Sequence, residues 1–265
     1  MELIVIGSGT GVPSVRRGAP ALAVRAAGRL ILLDIGAGTL RALPGYGLDF
    51  SHIDILALSH LHPDHVGDLI PFFFASRYAL GYTRTAPFTL LAARGFAQFH
   101  DRLKSAFGKW VEPPEGLMRL LELTPEGPDE VQWPGLTIKS APVNHIFGSL
   151  AYRLEADGAA LVYSGDTDVS DSLVALAQGA AVLVLECSNP FKVPGHLTPA
   201  EAGRLAARAG VARLVLTHFY PPCDQVDVAA LAAQEFSGDI IRAEDGLRME
   251  VKETLGKEPC RQNAF

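Results

Sequence analysis

Four side chains with metal-ligand chemistry lie close together in the first quarter of this chain. The motif H-x-H-x-D-H places His60, His62, Asp64 and His65 within a single short segment. It follows an apolar run, 53–58, that is typical of a buried strand. Neutral imidazole and carboxylate are ligands of Zn, Mn and Fe. The spacing puts two histidines on one side of an extended segment and the next two ligands at the following turn, so one loop can serve two adjacent metal ions.

Three later residues have the same ligand chemistry, and each follows a strand-like pattern. Asp166 and His218 come directly after the apolar runs 160–164 and 213–217, and His145 closes a weaker pattern at 136–141. Ligands at strand ends lie on rigid elements and can converge at one edge of a sheet. The alternative, a histidine-rich turn with three unrelated residues, leaves their common order to chance.

This set of residues resembles the metallo-β-lactamase superfamily, and the resemblance extends over nearly the whole chain. It implies an α/β (α+β) fold, a four-layer αββα metallo-β-lactamase sandwich, built as one domain from residues 1–265. It also implies two divalent metal ions, Zn in the first place, with Mn and Fe as alternatives. The implied ligands are His60, His62 and His145 for one ion, Asp64, His65 and His218 for the other, and Asp166 as the bridge.

The implied chemistry is hydrolysis by a metal-dependent enzyme. Paired ions roughly 3.5–4 Å apart lower the pKa of water from about 15.7 to about 7 and stabilise both the attacking and the leaving oxygen. In this scheme a metal-bound hydroxide attacks the substrate. Asp64 would orient that hydroxide and accept its proton.

A later segment narrows the resemblance to the ribonuclease Z branch of the superfamily. That branch carries a glutamate and then a His-x-Thr, matched here by Glu186 and by His196-Leu197-Thr198. The resemblance implies that His196 protonates the leaving oxygen and that Glu186 orients it. A histidine with a pKa near neutrality can supply such a proton. The alternatives are an exposed loop histidine before a helix cap and a strand-end acid that pairs elsewhere.

One departure from that branch bears on the substrate. Bacterial ribonuclease Z carries a long arm that clamps tRNA, inserted between the residues matching His145 and Asp166. Here a strand, a turn and a strand use all the residues between those two, so the arm is absent. The formal net charge of −6 also argues against a surface built to hold a polyanion. We therefore expect a phosphodiesterase for a small or cyclic phosphodiester, with extended nucleic acid disfavoured as a partner.

Other functions stay open at this point. A tRNA 3′-processing endoribonuclease, that is ribonuclease Z itself, uses the same catalytic frame. A lactone or thioester hydrolase would use the same metals and leave His196 without a clear proton-transfer role. A binding protein with an intact but unused site has little support, because all seven ligands are present.

Composition sets the outer limits. The chain has 265 residues with 48% hydrophobic and 20% charged content, enough for a sizeable core. Its N-terminus enters a strand without the features of a signal peptide, and no apolar stretch reaches the length of a membrane span. The three cysteines are scattered and suggest neither disulfides nor a cysteine zinc site. We expect a cytoplasmic protein without a membrane partner, and dimers in the resembling branch leave a homodimer open.

The elements that must position these residues can be outlined. Opening strands are predicted at 3–6, 21–25 and 30–34, and the glycine-rich turn 7–13 lacks the following helix of a dinucleotide-binding motif. Asp34 is either a support for a metal-binding histidine or a helix N-cap or turn residue. A helix is predicted over 68–80, entered through Pro71. Thr198, Pro199 and Glu201 form a capping box that starts a helix ending at Gly210.

Several residues are interpreted as structural. Phe72, Phe73 and Phe74 are favoured as core, and His52 and His100 as surface or core-edge residues. Region 94–134 is predicted to form a helix, a lid-like loop and short strands that affect substrate preference. The polar tail from Gly256 is predicted to be disordered. The basic residues predicted to form a solvated face are Arg77, Arg84, Arg94, Arg102 and Lys104.

Overall fold

Two mixed β-sheets lie face to face in the computed structural model, which describes residues 1–78, 81 and 84–252. Within those ranges each sheet has seven strands. The first sheet has the order β14-β1-β2-β3-β4-β5-β6. Its strands are β1 (Glu2–Gly7), β2 (Ala21–Ala26), β3 (Arg29–Leu33), β4 (Ile53–Ala57), β5 (Phe88–Ala93), β6 (Met118–Leu123) and β14 (Arg248–Glu250).

The second sheet has the order β13-β12-β11-β10-β9-β8-β7. Its strands are β7 (Asp129–Trp133), β8 (Leu136–Pro142), β9 (Leu150–Ala156), β10 (Ala159–Tyr163), β11 (Val182–Glu186), β12 (Arg213–Thr217) and β13 (Asp239–Arg242).

Helices cover the outer face of each sheet. Against the first sheet the described helices are α1 (Thr39–Ala42), α2 (Pro63–Val66), α3 (Leu69–Tyr78) and α4 (Phe96–Phe107). Against the second they are α5 (Asp171–Ala177), α6 (Pro199–Ala209) and α7 (Val228–Ala232). The predicted four-layer αββα sandwich is therefore confirmed.

The apolar runs of the central strands follow from this layering. A strand covered on both faces cannot alternate, and β10 and β11 are buried at every position. One core cluster extends from the space between the sheets to the helices over the second sheet, with Val5, Leu33 and Leu205 among its members. A second cluster lies between the first sheet and its helices and includes Phe72 and Phe73.

Strand direction brings the ends of several strands to one edge of the molecule. In the first sheet β3, β4, β5 and β6 are parallel to one another. In the second sheet β10, β11, β12 and β13 are parallel, and β8 runs in the same direction because it is antiparallel to β9. Residues that follow these strands are therefore placed together, as predicted for the ligands.

Most predicted elements are present, with small differences at their ends. The capping box is confirmed, since the Thr198 side chain accepts from the Glu201 amide and Gly210 ends α6. The helix predicted over 68–80 is present as α3. Positions 79 and 80 of that prediction lie outside the described residues. Phe72 and Phe73 are fully buried, whereas Phe74 is 46% exposed and packs against Tyr78 and Trp110.

The interpretation of Arg84 as part of a solvated face is wrong. Its side chain is buried, and its guanidinium donates to the carbonyl oxygens of Phe50, Ile53 and Ala86. A buried cation keeps its charge only if its donors are satisfied, and these carbonyls do that. The other four basic residues are partly or fully exposed.

Region 94–134 forms α4 and one strand at the edge of each sheet, β6 and β7. His52 is exposed, and His100 is buried with its Nε2 bonded to the Val111 carbonyl, so both lie where predicted. Cys187 and Cys223 are buried free thiols, and Cys260 and the predicted disordered tail lie outside the described residues. No helix in the described part of the chain is both long and apolar enough to cross a bilayer.

Candidate metal centre

All seven predicted ligands meet at the edge where the parallel strands end. The first sheet supplies four of them through the segment after β4 and the first turn of α2. The second sheet supplies His145 after β8, Asp166 after β10 and His218 after β12. The interpretation of these residues as unrelated is therefore wrong.

Two groups of ligand atoms form within this cluster. Atoms of His60, His62, His145 and Asp166 lie within 4.8 Å of one another, and so do atoms of Asp64, His65 and His218. Members of one group approach closely: His145 Nε2 is 3.1 Å from His62 Nδ1. In the other group His218 Nε2 is 3.6 Å from Asp64 Oδ2.

Asp166 lies between the two groups and turns one oxygen to each. Its Oδ1 is 3.2 Å from His65 Nε2 and 3.2 Å from His218 Nε2. Its Oδ2 is 3.9 Å from His60 Nε2 and 3.8 Å from His145 Nε2. This is the placement that a bridging carboxylate requires.

The tautomers of four histidines can be assigned from their Nδ1 partners. His65 donates from Nδ1 to Asp34 Oδ2 at 2.7 Å, and His145 donates to the Gly195 carbonyl at 2.9 Å. His60 donates to Ser59 Oγ at 3.0 Å, and His218 donates to Ser188 Oγ at 2.9 Å. Each ring then turns its Nε2 towards Asp166, and these nitrogens would be unprotonated with metal ions bound.

This pattern fits metal ions. Among the described residues seven buried side-chain atoms have no hydrogen-bond partner of suitable geometry, and four of them lie together in this cluster: Nε2 of His60, His65 and His218, and Asp166 Oδ1. Buried polar atoms are almost always paired. Imidazoles with Nδ1 fixed by a second group and Nε2 free are the usual form of histidine ligands. A divalent cation in each group would satisfy all four atoms.

The charges in the cluster favour a cation. Burial lowers the pKa of His60 to about 2, with the charge of His65 adding to the effect. Burial opposes ionisation of Asp166, but His218 and His65 outweigh it and hold the pKa of that carboxyl well below its usual range. Burial likewise opposes the charged form of His65, yet Asp166 and Asp34 raise the pKa of its ring well above the usual value. The centre therefore stabilises positive charge between its members.

Asp34 holds the cluster in place by hydrogen bonds, so its predicted role as a support for a histidine is present. The same residue also turns the chain. Besides His65 it binds the amide and hydroxyl of Ser59, at 2.6 and 2.7 Å, and the hydroxyl of Tyr163 at 2.7 Å. Its φ is 60°, and that of the ligand His218 is 61°. A non-glycine residue in this region stores roughly 1–3 kcal/mol of strain, which is typical of functional sites. Both residues turn the chain sharply at a strand end.

Close backbone packing locks the ligand loops. A Cβ added at Gly165 would lie 2.6 Å from Ser59 Cβ, so the residue before Asp166 has to be glycine. The glycine-rich turn 7–13 reaches the site, because the Gly11 amide donates to Asp64 Oδ2 at 3.1 Å.

His196 and Glu186 lie beside the ligands and contact each other. Glu186 is fully buried at the end of β11, and His196 Nδ1 donates to its Oε1 at 2.9 Å. Burial opposes protonation of His196, but the hydrogen bond with Glu186 and its charge raise the pKa of the ring. The predicted pairing is therefore present, and neither residue is an isolated loop or strand-end group.

Sequence reasoning missed the groups that orient the ligands. Ser59, Ser188, Tyr163 and the Gly195 carbonyl all bind Nδ1 atoms or the carboxylates behind them. Ser59 directly precedes His60, and Ser188 lies two positions after Glu186. This closeness in sequence to site residues is the one signal that could have pointed to them.

Comparison with known proteins identifies a matching family and relatives that align over nearly the whole chain. A family model described as the β-lactamase superfamily domain matches residues 29–219. Ribonuclease Z of Mycobacterium bovis is 32% identical over 277 residues, covering 95% of this chain and 98% of that protein.

Solved structures share the fold over nearly the full length. The metallo-β-lactamase fold protein YhfI from Bacillus subtilis superposes with a TM-score of 0.79 at 24% identity, covering 94% of this chain and 99% of that chain. The short form of human tRNase Z superposes with a TM-score of 0.74 at 23% identity, covering 95% and 99%. At these identities the solved structures show the fold alone.

Proposed function

This chain belongs to the β-lactamase superfamily and is a metal-dependent hydrolase, and from that premise we propose that it hydrolyses phosphodiesters with His196 as proton donor. The observation that carries the proposal is the hydrogen bond between His196 and the buried Glu186 beside the ligand cluster. Breaking a phosphodiester releases an alkoxide that needs a proton, and this pair is placed to supply it.

The ligand assignment is part of the proposal. His60, His62 and His145 would hold one divalent ion, and Asp64, His65 and His218 the other, with Asp166 between them. Zinc is the first choice because imidazole and carboxylate suit it, and manganese and iron are alternatives. When bound, such a pair of ions ionises water near neutral pH and stabilises negative charge on the phosphoryl oxygens.

The protein's own residues complete the reaction. Asp64 accepts the proton of the attacking water. The new P–O bond forms as the bond to the leaving oxygen breaks, and His196 gives that oxygen its proton. Nδ1 of His196 is engaged with Glu186 and Ser188, which leaves Nε2 for the transfer. The products are a phosphate monoester and an alcohol, and a cyclic diester yields both groups on one ring-opened molecule.

We propose a small or cyclic phosphodiester as the substrate. Between His145 and Asp166 the chain forms β9, a turn and β10, which leaves no residues for a clamping arm. The net charge of −6 adds no general attraction for a polyanion. A compact substrate needs neither an arm nor a basic surface.

A second candidate is processing of tRNA 3′ ends. The Mycobacterium bovis protein named ribonuclease Z aligns over 277 residues, little more than the length of this chain. The similarity extends over nearly the whole of both chains, so absence of the arm does not by itself exclude tRNA as a substrate.

The two candidate functions are distinguished by measuring kcat/KM on each substrate side by side. Metal-loaded protein is assayed on bis(p-nitrophenyl) phosphate, on a 2′,3′-cyclic nucleotide and on a tRNA precursor with a 3′ trailer, with His52→Ala as a histidine control outside the site. A higher kcat/KM on the cyclic nucleotide than on the precursor supports the proposal. Accurate trailer removal at the higher kcat/KM establishes the second candidate. Turnover of a lactone alone, with every phosphodiester inert, overturns both.

A further inference from the structure

The hydroxyl of Ser188 lies at the junction of the proton donor and one metal-ligand group. The residue is fully buried. Its Oγ is 2.7 Å from Glu186 Oε2, 2.9 Å from His218 Nδ1 and 3.1 Å from His196 Nδ1. One side chain thus contacts the proposed proton donor, the carboxylate that orients it and a proposed ligand.

The hydrogens in this group can be assigned by counting donors. A serine hydroxyl has one proton and two lone pairs, and an ionised carboxylate only accepts. The short contact to Glu186 Oε2 therefore takes the hydroxyl proton. His218 must then donate from Nδ1 to the serine oxygen, which leaves Nε2 of His218 free for a metal ion. The Nδ1 proton of His196 is directed at Glu186 Oε1 and can reach the serine oxygen only as a shared, bifurcated bond.

Glu186 itself is fixed by the backbone, so the group is rigid. Its Oε1 accepts from the Thr167 amide at 2.9 Å, and its Oε2 accepts from the amides of Ser188 and Leu197 at 3.2 and 3.3 Å. Thr167 follows Asp166 directly. The carboxylate therefore ties the loops of Asp166 and His196 together, and the Ser188 hydroxyl extends this connection to His218.

The first sheet has an equivalent arrangement of a serine, a buried carboxylate and a histidine. Ser59 Oγ donates to the buried Asp34 carboxylate at 2.7 Å and accepts from His60 Nδ1 at 3.0 Å. In each sheet a buried carboxylate and a serine thus fix a ligand histidine. Only the pair in the second sheet also contacts His196.

We propose that Ser188 is a positioning residue that sets the tautomer of His218 and couples it to the Glu186–His196 pair, with Ser59 as its counterpart for His60. The effect on His218 depends only on metal binding. The effect on His196 rests on the proposed function.

The first test is zinc affinity, measured by competition with a chelator, which needs no substrate. We expect Ser188→Ala to weaken binding of an ion roughly 10- to 100-fold, the usual effect of removing a group that orients a ligand. Ser188→Thr keeps the hydroxyl and is expected to restore affinity. Ser140→Ala is the matched control, because Ser140 is buried and its hydroxyl has no partner among the described residues.

The second test separates positioning of His196 from metal binding. On metal-saturated protein, Ser188→Ala is expected to lower kcat more for a dinucleotide than for bis(p-nitrophenyl) phosphate, with KM little changed. Ser59→Ala should lower zinc affinity and leave the ratio of the two kcat values as in the wild type. Ser188→Cys, with a weakly bonding thiol, replaces the alanine variant if that variant does not fold.

The outcomes are distinguishable. Wild-type zinc affinity in Ser188→Ala overturns the role of Ser188 whatever the substrate is. Weakened affinity with an unchanged ratio of kcat values overturns the coupling to His196. A wild type that binds zinc and cleaves no phosphodiester overturns the proposed function, while the zinc comparison still tests Ser188.

Discussion

His196 illustrates how single residues acquire their roles here. An imidazole beside a metal cluster is an ordinary ligand candidate, and one of its ring nitrogens does lie near Asp166 and His218. Its Nδ1, however, is held by Glu186 and Ser188, and Glu186 raises the pKa of the ring. A group that holds a proton beside the reaction centre suits an acid better than a ligand.

Replacing Glu186 by Gln tests this role through pH. The change removes the negative charge that helps to raise the pKa of His196 and keeps an oxygen that can accept from its ring, so the pKa of His196 is expected to fall. Protonated His196 is lost at lower pH, and the alkaline limb of the kcat profile should move to lower pH. The profile is measured on metal-saturated protein with a dinucleotide substrate.

The exposed Glu235→Gln serves as the control for Glu186→Gln, since Glu235 pairs with Arg204 on α6, away from the ligand cluster. An alkaline limb that stays in place in Glu186→Gln contradicts the role assigned to Glu186.

Some residue-scale features could be predicted from the sequence and others could not. The meeting of the seven predicted ligands was predictable, because metal chemistry needs particular residue types in a fixed order. The burial of Arg84 was not, because its carbonyl partners at Phe50 and Ile53 are distant in sequence. Ser188 became meaningful only when β11 and β12 paired and brought His218 beside it.

At the scale of elements, three loops of the second sheet form one wall of the site. The Asn144 side chain donates to the Val169 carbonyl at 2.7 Å. The Asp168 carboxylate accepts from the Gly195 amide at 3.0 Å and from Lys192 Nζ. These bonds connect the loops that carry His145, Asp166 and His196.

Asp168→Ala tests the connection between the loops. The side chain is partly exposed, and such ion pairs contribute only about 0–1 kcal/mol to stability. We therefore expect thermal stability to change little. Misplacement of His196 should lower kcat roughly ten- to hundredfold with zinc affinity unchanged.

Asp239→Ala is the control for Asp168→Ala, because Asp239 forms an exposed ion pair with Arg213 on β13 and β12. Equal kcat in the wild type and Asp168→Ala would show that the three loops keep their positions without this residue.

Strand ends were predictable where burial on both faces leaves a continuous apolar run, as in β10 and β12. Edge strands were harder, since β6 and β7 mix exposed and buried positions within a proline-punctuated region. Their place in each sheet depends on pairing with β5 and β8, and the local sequence does not encode such long-range pairing.

At the scale of the whole molecule, the site joins the two sheets. The Tyr152 hydroxyl donates to the Leu58 carbonyl at 2.7 Å, and the Leu150 amide donates to the Ser59 carbonyl at 2.8 Å. Tyr163 reaches Asp34 across the same interface. Ligands from both sheets meet there, so metal binding is expected to stabilise the packing of one sheet on the other.

Metal removal tests this coupling. An ion that binds only the folded state stabilises it by about 2.7 kcal/mol at a concentration one hundred times its Kd. Protein stripped by a chelator should therefore unfold at a lower temperature, and zinc should restore the wild-type Tm. Asp166→Ala should abolish most of the zinc response, and an unfolding temperature independent of zinc would contradict the ligand assignment.

A series of leaving groups tests whether the protein hydrolyses phosphodiesters with His196 as proton donor. Wild type and His196→Ala, both loaded with zinc, are compared on a series of phosphodiesters whose leaving groups range from nitrophenol to a simple alcohol. We expect turnover by the wild type and a loss in His196→Ala that grows as the leaving group becomes more basic, reaching roughly 10²- to 10⁴-fold. A loss that is the same for every leaving group, or no phosphodiester turnover by the wild type, would contradict it.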